Sequence, residues 1–194
     1  MKVKILTQYP KQTIIVDNVY FSSDLHLNHK SILGFGRKFE SIEEMNNTII
    51  NNINSKVKKN DLLVLLGDHL FGENKNYQEL IDSFVCDNII MLYGNHCNIG
   101  KIQETTVLYQ GYYLELQIDK QIIVCSHYPI IHWNYQSDGS IMIFGHLHGF
   151  KSEITKQTSE YKTMDVGIDC SDNYEPFSYQ EILEKLKDKT FIQR

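Results

Sequence analysis

Apolar residues in this chain cluster in short unbroken runs, VYF, LLVLL, IIMLY, IIVC and IMIF, and each run is followed at once by Gly or Ser. Runs of this length ending at a small residue predict buried strands whose backbone turns sharply into a loop. Between them the pattern changes period. Ile42, Met45, Ile49, Ile53 and Val57 recur at helical spacing, and Ser41 followed by Glu44 is a capping-box signal, so a helix is predicted over residues 41–57. A shorter helix is predicted over 76–85. GYYLELQI and KQIIVCSH flank Asp119 and Lys120 as a hairpin. Near the end, Ser178 and Glu181 cap EILEKLKDK, whose alternating charges suit a solvated helix face. Strands alternating with helices predict an α/β layered fold. No internal repeat, linker or low-complexity tract interrupts it.

Length and charge narrow what such a fold can serve. A chain of 194 residues predicts a single domain, 1–194, able to bury about 70% of the surface its unfolded form exposes. The formal charge of −5 argues against a groove for long duplex nucleic acid, where phosphate neutralisation dominates binding. A small or terminal phosphate fits better. No run of about 18 apolar residues occurs, and MKVKILTQYPKQ has no signal-like apolar core. Cys86, Cys97, Cys125 and Cys170 lack zinc-like spacing and read as reduced thiols. The expectation is a cytoplasmic protein that does not engage membranes.

The ends of the five runs carry the chemistry. They present Asp24 and His26, then Asp68, then Asn95 and His96, then His127, and finally His146 and His148. In α/β sheets, sites form beyond the carboxyl ends of strands, so these residues are expected to converge. Each motif alone has an ordinary reading as turn chemistry or as a hydrogen-bonded histidine. Jointly they are hard to assign to chance, because five of the eight histidines stand at these ends. Carboxylates, imidazoles and an amide suit borderline or hard divalent ions, and a pair of cations needs a bridging carboxylate. Two loops border the expected site. Residues 27–40 carry His29, Gly34, Gly36, Arg37 and Phe39; residues 132–140 carry His132, Trp133, Asn134 and Tyr135. Arg37 is a candidate phosphate clamp. His29 is a candidate phosphate contact, and Trp133 could stack a flat group.

The series DLH, GD, GNH, a lone His and GHLH, spanning residues 19–148, resembles the calcineurin-like metallophosphoesterases; RKFESIEEMN, HYPIIHWN and DVGID resemble their compact bacterial and phage members. The resemblance implies a four-layer α/β/β/α sandwich of two mixed sheets flanked by helices. It implies that Asp24, His26, Asp68 and His148 hold one metal ion while Asp68, Asn95, His127 and His146 hold a second. Manganese is the family habit, with iron, zinc, cobalt and nickel compatible with the same donors. The implied activity is hydrolysis of phosphomonoesters or phosphodiesters by a metal-bridged hydroxide, with a small nucleotide-like substrate preferred. The implied role of His96 is catalytic, at the leaving group. Cys97 stands where the family usually has Asp or Glu after this histidine, which weakens the expected acid role. His69, after Asp68, is read as a supporting or packing residue. Two other readings remain: a nuclease acting on nucleic-acid ends, and a non-catalytic interaction scaffold on the same fold.

Overall fold

A computed structural model describes residues 1–8, 11–72, 76–151, 153–157 and 160–190. Two mixed sheets lie face to face. The first has five strands in the order β11-β3-β4-β5-β6: Val19–Ser22 (β3), Leu62–Leu65 (β4), Asn88–Leu92 (β5) and Tyr109–Gly111 (β6) run parallel, and Phe177–Ser178 (β11) pairs antiparallel with β3. The second has six, in the order β10-β9-β8-β7-β1-β2. Tyr113–Ile118 (β7) and Gln121–Ser126 (β8) form the hairpin, turning at Asp119, and β8 runs parallel to Ile141–Phe144 (β9). Thr163–Asp165 (β10) extends the parallel side, while Lys2–Ile5 (β1) and Gln12–Ile15 (β2) extend the antiparallel side. The five runs read as strands are β3, β4, β5, β8 and β9. They are shared between both sheets.

Alternation of side chains explains why those runs are continuous rather than half polar. In the segment LLVLL, Leu62, Val64 and Leu66 enter the core between the sheets with Val3, Phe21, Leu116, Ile123 and Ile143. Leu63 and Leu65 point the other way, into a second core with Met45, Ile49, Ile53 and Tyr77. A strand buried on both faces has no polar positions to spare. The partners on the outer face come from helices Ile42–Lys56 (α1) and Tyr77–Asp82 (α2), where the periodicity placed them. Ser41 accepts from Glu44 N–H, but Glu44 reaches back to the Glu40 N–H, one residue earlier than a closed capping box requires. The closed box does form at Ser178 and Glu181, which start the helix Tyr179–Leu186 (α3). This helix is not merely a solvated surface: Tyr179, Ile182 and Leu186 join the core between the sheets.

On the outer face of the six-stranded sheet, Trp133 packs against Val124, Met142 and Phe144. It is only 8% exposed, and its indole N–H donates to Ser140 Oγ at 2.9 Å. The expectation that Trp133 stacks a ligand is therefore corrected. An indole on a loop that crosses an apolar sheet face gains more from covering that face than from standing in water.

Candidate metal centre

Beyond their last ladder bonds the strands continue to hold one another. Asp24 N–H donates to Gly67 O at 3.1 Å, His26 N–H to Asp68 O at 2.9 Å, and Gly145 N–H to His127 O at 3.0 Å. The glycines at these ends are required by space as much as by turning. A Cβ on Gly94 would collide with the Asp68 carboxylate, and one on Gly145 with Ser23 and the Asp24 carboxylate. Strand ends therefore approach closely enough for donors from separate strands to meet. The backbone at the donors is unusual too. Asp24, His26, Asp68, His146 and His148 all have positive φ, between 47° and 70°. Asp and His tolerate this left-handed region better than most residues, and such conformations concentrate at functional sites.

The result is a cluster of electron-rich atoms. His26 Nε2 lies 3.8 Å from both Asp24 Oδ1 and Asp68 Oδ2, and His148 Nε2 lies 3.8 Å from Asp24 Oδ1. Across Asp68, His127 Nε2 is 3.3 Å from the same Oδ2 and 3.0 Å from Asn95 Oδ1. Asp24, His26 and His148 form one group with metal-ligand spacing; Asp24, Asp68 and His127 form another. His146 completes the outer edge, its ring 5.2 Å from that of His127 and 4.6 Å from that of Tyr128. Of the seven donors foreseen at the strand ends, Asp24, His26, Asp68, His127 and His148 fall in these groups, and Asn95 and His146 lie beside His127. Asp24 reaches into both groups.

Hydrogen bonds on the far side of each ligand choose which atom faces inward. His127 Nδ1 donates to Leu66 O at 2.9 Å and His148 Nδ1 to Asp169 Oδ2 at 2.7 Å, leaving both Nε2 atoms turned towards the carboxylates. Asp24 Oδ2 accepts from His146 N–H and Asp68 Oδ1 from His96 N–H, each at 2.8 Å. The inward atoms Asp24 Oδ1 and His26 Nε2 are buried and have no hydrogen-bond partner among the described residues. Leaving buried polar atoms unsatisfied is costly, and a cation satisfies both at once. On that observation the donor set fits divalent metal.

The proton affinities carry the same message. Burial pushes the Asp24 carboxyl up to about 6, partly opposed by the charges of His127 and His148. Burial drives His26 down to about 3 against the pull of Asp68. Burial also disfavours charge on Asp68, His127 and His148, but their partners prevail. The hydrogen bond with His127 and the backbone donor from His96 hold Asp68 well below the carboxylate range; Asp68 holds His127 above its usual value, and Asp169 does the same for His148. Protons on these imidazoles occupy the electrostatic role that a cation fills.

Two residues had no signal in the motifs. Asp169, in the turn Ile168–Cys170, receives His148 and forms a bidentate ion pair with Arg37 at 2.7 and 2.8 Å. Asp165 accepts from the N–H groups of Gly149 and Gly167, tying down the loop after His148. Their only trace in the sequence is the pair of acids in DVGID. Arg37 needs correction. It is 5% exposed, and its remaining donors go to Leu25 O and Asp24 O, so the guanidinium braces the ligand loop from beneath instead of clamping phosphate. His29 stays beside the site, stacked on Phe71 at 3.8 Å with its Nδ1 3.0 Å from His26 Nδ1. His69 is a packing residue, its Nε2 2.9 Å from Leu92 O. His96 faces a cleft of about 330 Å³ shared with His26, His29, His146 and His148 and walled by Ile32, Phe35, Leu147 and Phe150.

The calcineurin-like phosphoesterase family model matches residues 18–122, which contain the first three of the five strand ends and reach into the hairpin. The chain belongs to this family. As a calcineurin-like phosphoesterase it is a metal-dependent phosphoric ester hydrolase acting on a small phosphate ester. An uncharacterized protein of Methanocaldococcus jannaschii is 31% identical over 91% of this chain and 94% of its own length. The gene 66 protein of Mycobacterium phage L5 is 23% identical, covering 80% and 88% respectively. A protein of unknown function from Aquifex aeolicus shares the fold with a TM-score of 0.69 at 22% identity, over 87% of this chain and 98% of that one.

Proposed function

We propose that this phosphoesterase works as one domain with two divalent ions, manganese in preference to iron, zinc, cobalt or nickel, and hydrolyses mono- or diesters of small, nucleotide-like phosphates. Asp24, His26, Asp68 and His148 would hold one ion, and Asp68, Asn95, His127 and His146 the other. The observation that carries this reading is Asp68 Oδ2, placed 3.8 Å from His26 Nε2 on one side and 3.3 Å from His127 Nε2 on the other. Two such ions would activate a shared water and neutralise the phosphoryl oxygens.

The remaining chemistry falls to the chain's own groups. His96 borders the cleft, its ring centroid 5.4 Å from that of His26, where it can donate a proton to the departing oxygen. Its backbone N–H is bound to Asp68, so the acid and the bridging carboxylate move as one piece. Cys97 does not substitute for the usual acidic neighbour; its Sγ accepts from Gly94 N–H and closes the turn. His29 steadies His26 through the Nδ1 contact and can meet a phosphoryl oxygen. The described residues contain no helix long and apolar enough to cross a membrane, and the four cysteines are free thiols, in keeping with a cytoplasmic setting.

Hydrolysis of bis-(nitrophenyl) phosphate by metal-free protein reloaded with each ion in turn tests the reading. Turnover that saturates at two equivalents of metal supports it. Silence with every metal favours the scaffold reading, and salt-sensitive cleavage of single-stranded DNA ends in preference to small esters favours the nuclease.

A further inference from the structure

Phe35 and Phe150 are the unusual feature of the cleft. They are 70% and 65% exposed, although neither belongs to a core, and both line the same cleft as His26, His96, His146 and His148. They arrive from separate segments. Phe35 ends the turn Lys30–Phe35, which leaves through Gly36 at φ 103°, while Phe150 follows the ligand loop of His148. Ile32 and Leu147 continue the apolar wall behind them. A ligand that covers large aromatic side chains exposed beside a reactive centre removes their apolar surface from water, which is favourable.

The charge of the wall is equally informative. Among the described residues, none that lines the cleft is Lys or Arg, and Arg37 spends its donors on Asp169 and backbone carbonyls. A second phosphoryl or a carboxylate beyond the reacting phosphate would meet no Lys or Arg among the described residues that line the cleft. The cleft of about 330 Å³ is near the lower end of small-molecule sites, which rules against bulky ligands. Trp133, the aromatic that the sequence offers for stacking, is committed to the core.

We infer that Phe35 and Phe150 are specificity-determining residues that receive a flat, uncharged ring, so that the substrate is a single phosphate ester carrying a nucleobase or similar aromatic group. This rests on the phosphoesterase reading above and adds to it the residues that select the leaving portion. Every base has an apolar face, so stacking on Phe is tolerant of which base is present.

The test compares esters that differ only in the ring. kcat/KM is measured for a nucleoside 5′-monophosphate against ribose 5-phosphate, and for the methyl ester of each, with wild type, Phe35→Ala, Phe150→Ala and the double variant, all metal-loaded. Both side chains are mostly in solvent, so truncation leaves the fold intact. The wild type is expected to favour the base-bearing member of a pair, and each single substitution to reduce that ratio about tenfold. A ratio near one in the wild type, or a ratio that neither substitution changes, overturns the inference. If bis-(nitrophenyl) phosphate is hydrolysed but none of the four esters is, the aromatic assignment fails and the phosphoesterase reading survives. If nothing is hydrolysed, both fall.

Discussion

Asp24 and His26 after β3, with His148 from the loop after β9, are built differently from Asn95, His127 and His146 at the ends of β5, β8 and β9. Asp24 and His26 are buried, and His148 is fixed by Asp169, which Arg37 holds in place while also bracing the Asp24 carbonyl. Asn95, by contrast, is exposed, His146 is half-buried, and His127 meets Asn95 and Asp68 directly across the gap where an ion would sit. One side is a preformed cage supported from behind. The other is more open to solvent, at Asn95 and His146, and the cleft is lined by donors of both, His26 and His148 as well as His146. The difference teaches that the closed side should bind its ion first and more tightly, while the open side trades affinity for access.

In the proposed two-ion arrangement Asp68 is the residue the two sides share, so Asp68→Ala should abolish the contrast. Loss of metal charge at the phosphoryl group is worth several kcal/mol, and hydrolysis is expected to fall by at least about 10³-fold, with metal content dropping below one ion per chain by elemental analysis. A variant that keeps both ions and near-normal turnover would break the bridging assignment.

His96→Ala probes the open side alone. Turnover of an unactivated alkyl phosphate should drop about 10²-fold or more, with a much smaller loss for a nitrophenyl ester, whose leaving group needs no proton. Equal losses would remove the acid role. Gly94→Ala sharpens the point without deleting any donor. Its new methyl would push against the Asp68 carboxylate, and misplacement on the scale of an ångström is expected to cost about 10²-fold in kcat.

Asp169→Ala attacks the closed side from behind. It strands the buried Arg37 charge and frees the His148 ring, so metal affinity should weaken by about 10–100-fold. Unfolding should be easier by about 3 kcal/mol, at the low end for a broken buried pair because Asp169 keeps 17% exposure. Calorimetric titration and thermal melting read the two effects separately. A melt unchanged from wild type would show that the brace carries no strength.

The smallest expected effect is that of pH. Asp24, with its carboxyl at about 6, must ionise to bind a cation, and His127 and His148, held above their usual values, must lose protons. His26 is already neutral at pH 7. Apparent metal affinity should therefore weaken by at least about tenfold from pH 7 to pH 5, the share of Asp24 alone, with proton release on binding visible as a buffer-dependent heat. The folded Asp24 value lies above the unfolded one, so in metal-free protein its contribution to stability is present at low pH and lost as pH rises through about 6. Metal should thus raise the Tm more at pH 7 than at pH 5.

The strands that carry the site, the two longest helices and the convergence of Asp, Asn and His residues at the strand ends were legible in the order of residues. Buried strands must be apolar, Ser41 and Ser178 must cap where helices begin, and Gly must stand where strand ends nearly touch. These are local constraints, each written within a few positions. What Arg37, Asp169 and Trp133 do was decided only in three dimensions. Arg37 and Asp169 are 132 residues apart, and an ion pair across such a separation imposes no local pattern on either partner. Arg37 on a Gly-bearing loop looks the same in sequence whether its guanidinium faces a phosphate or a buried carboxylate, because the packing of distant segments determines which of the two it meets.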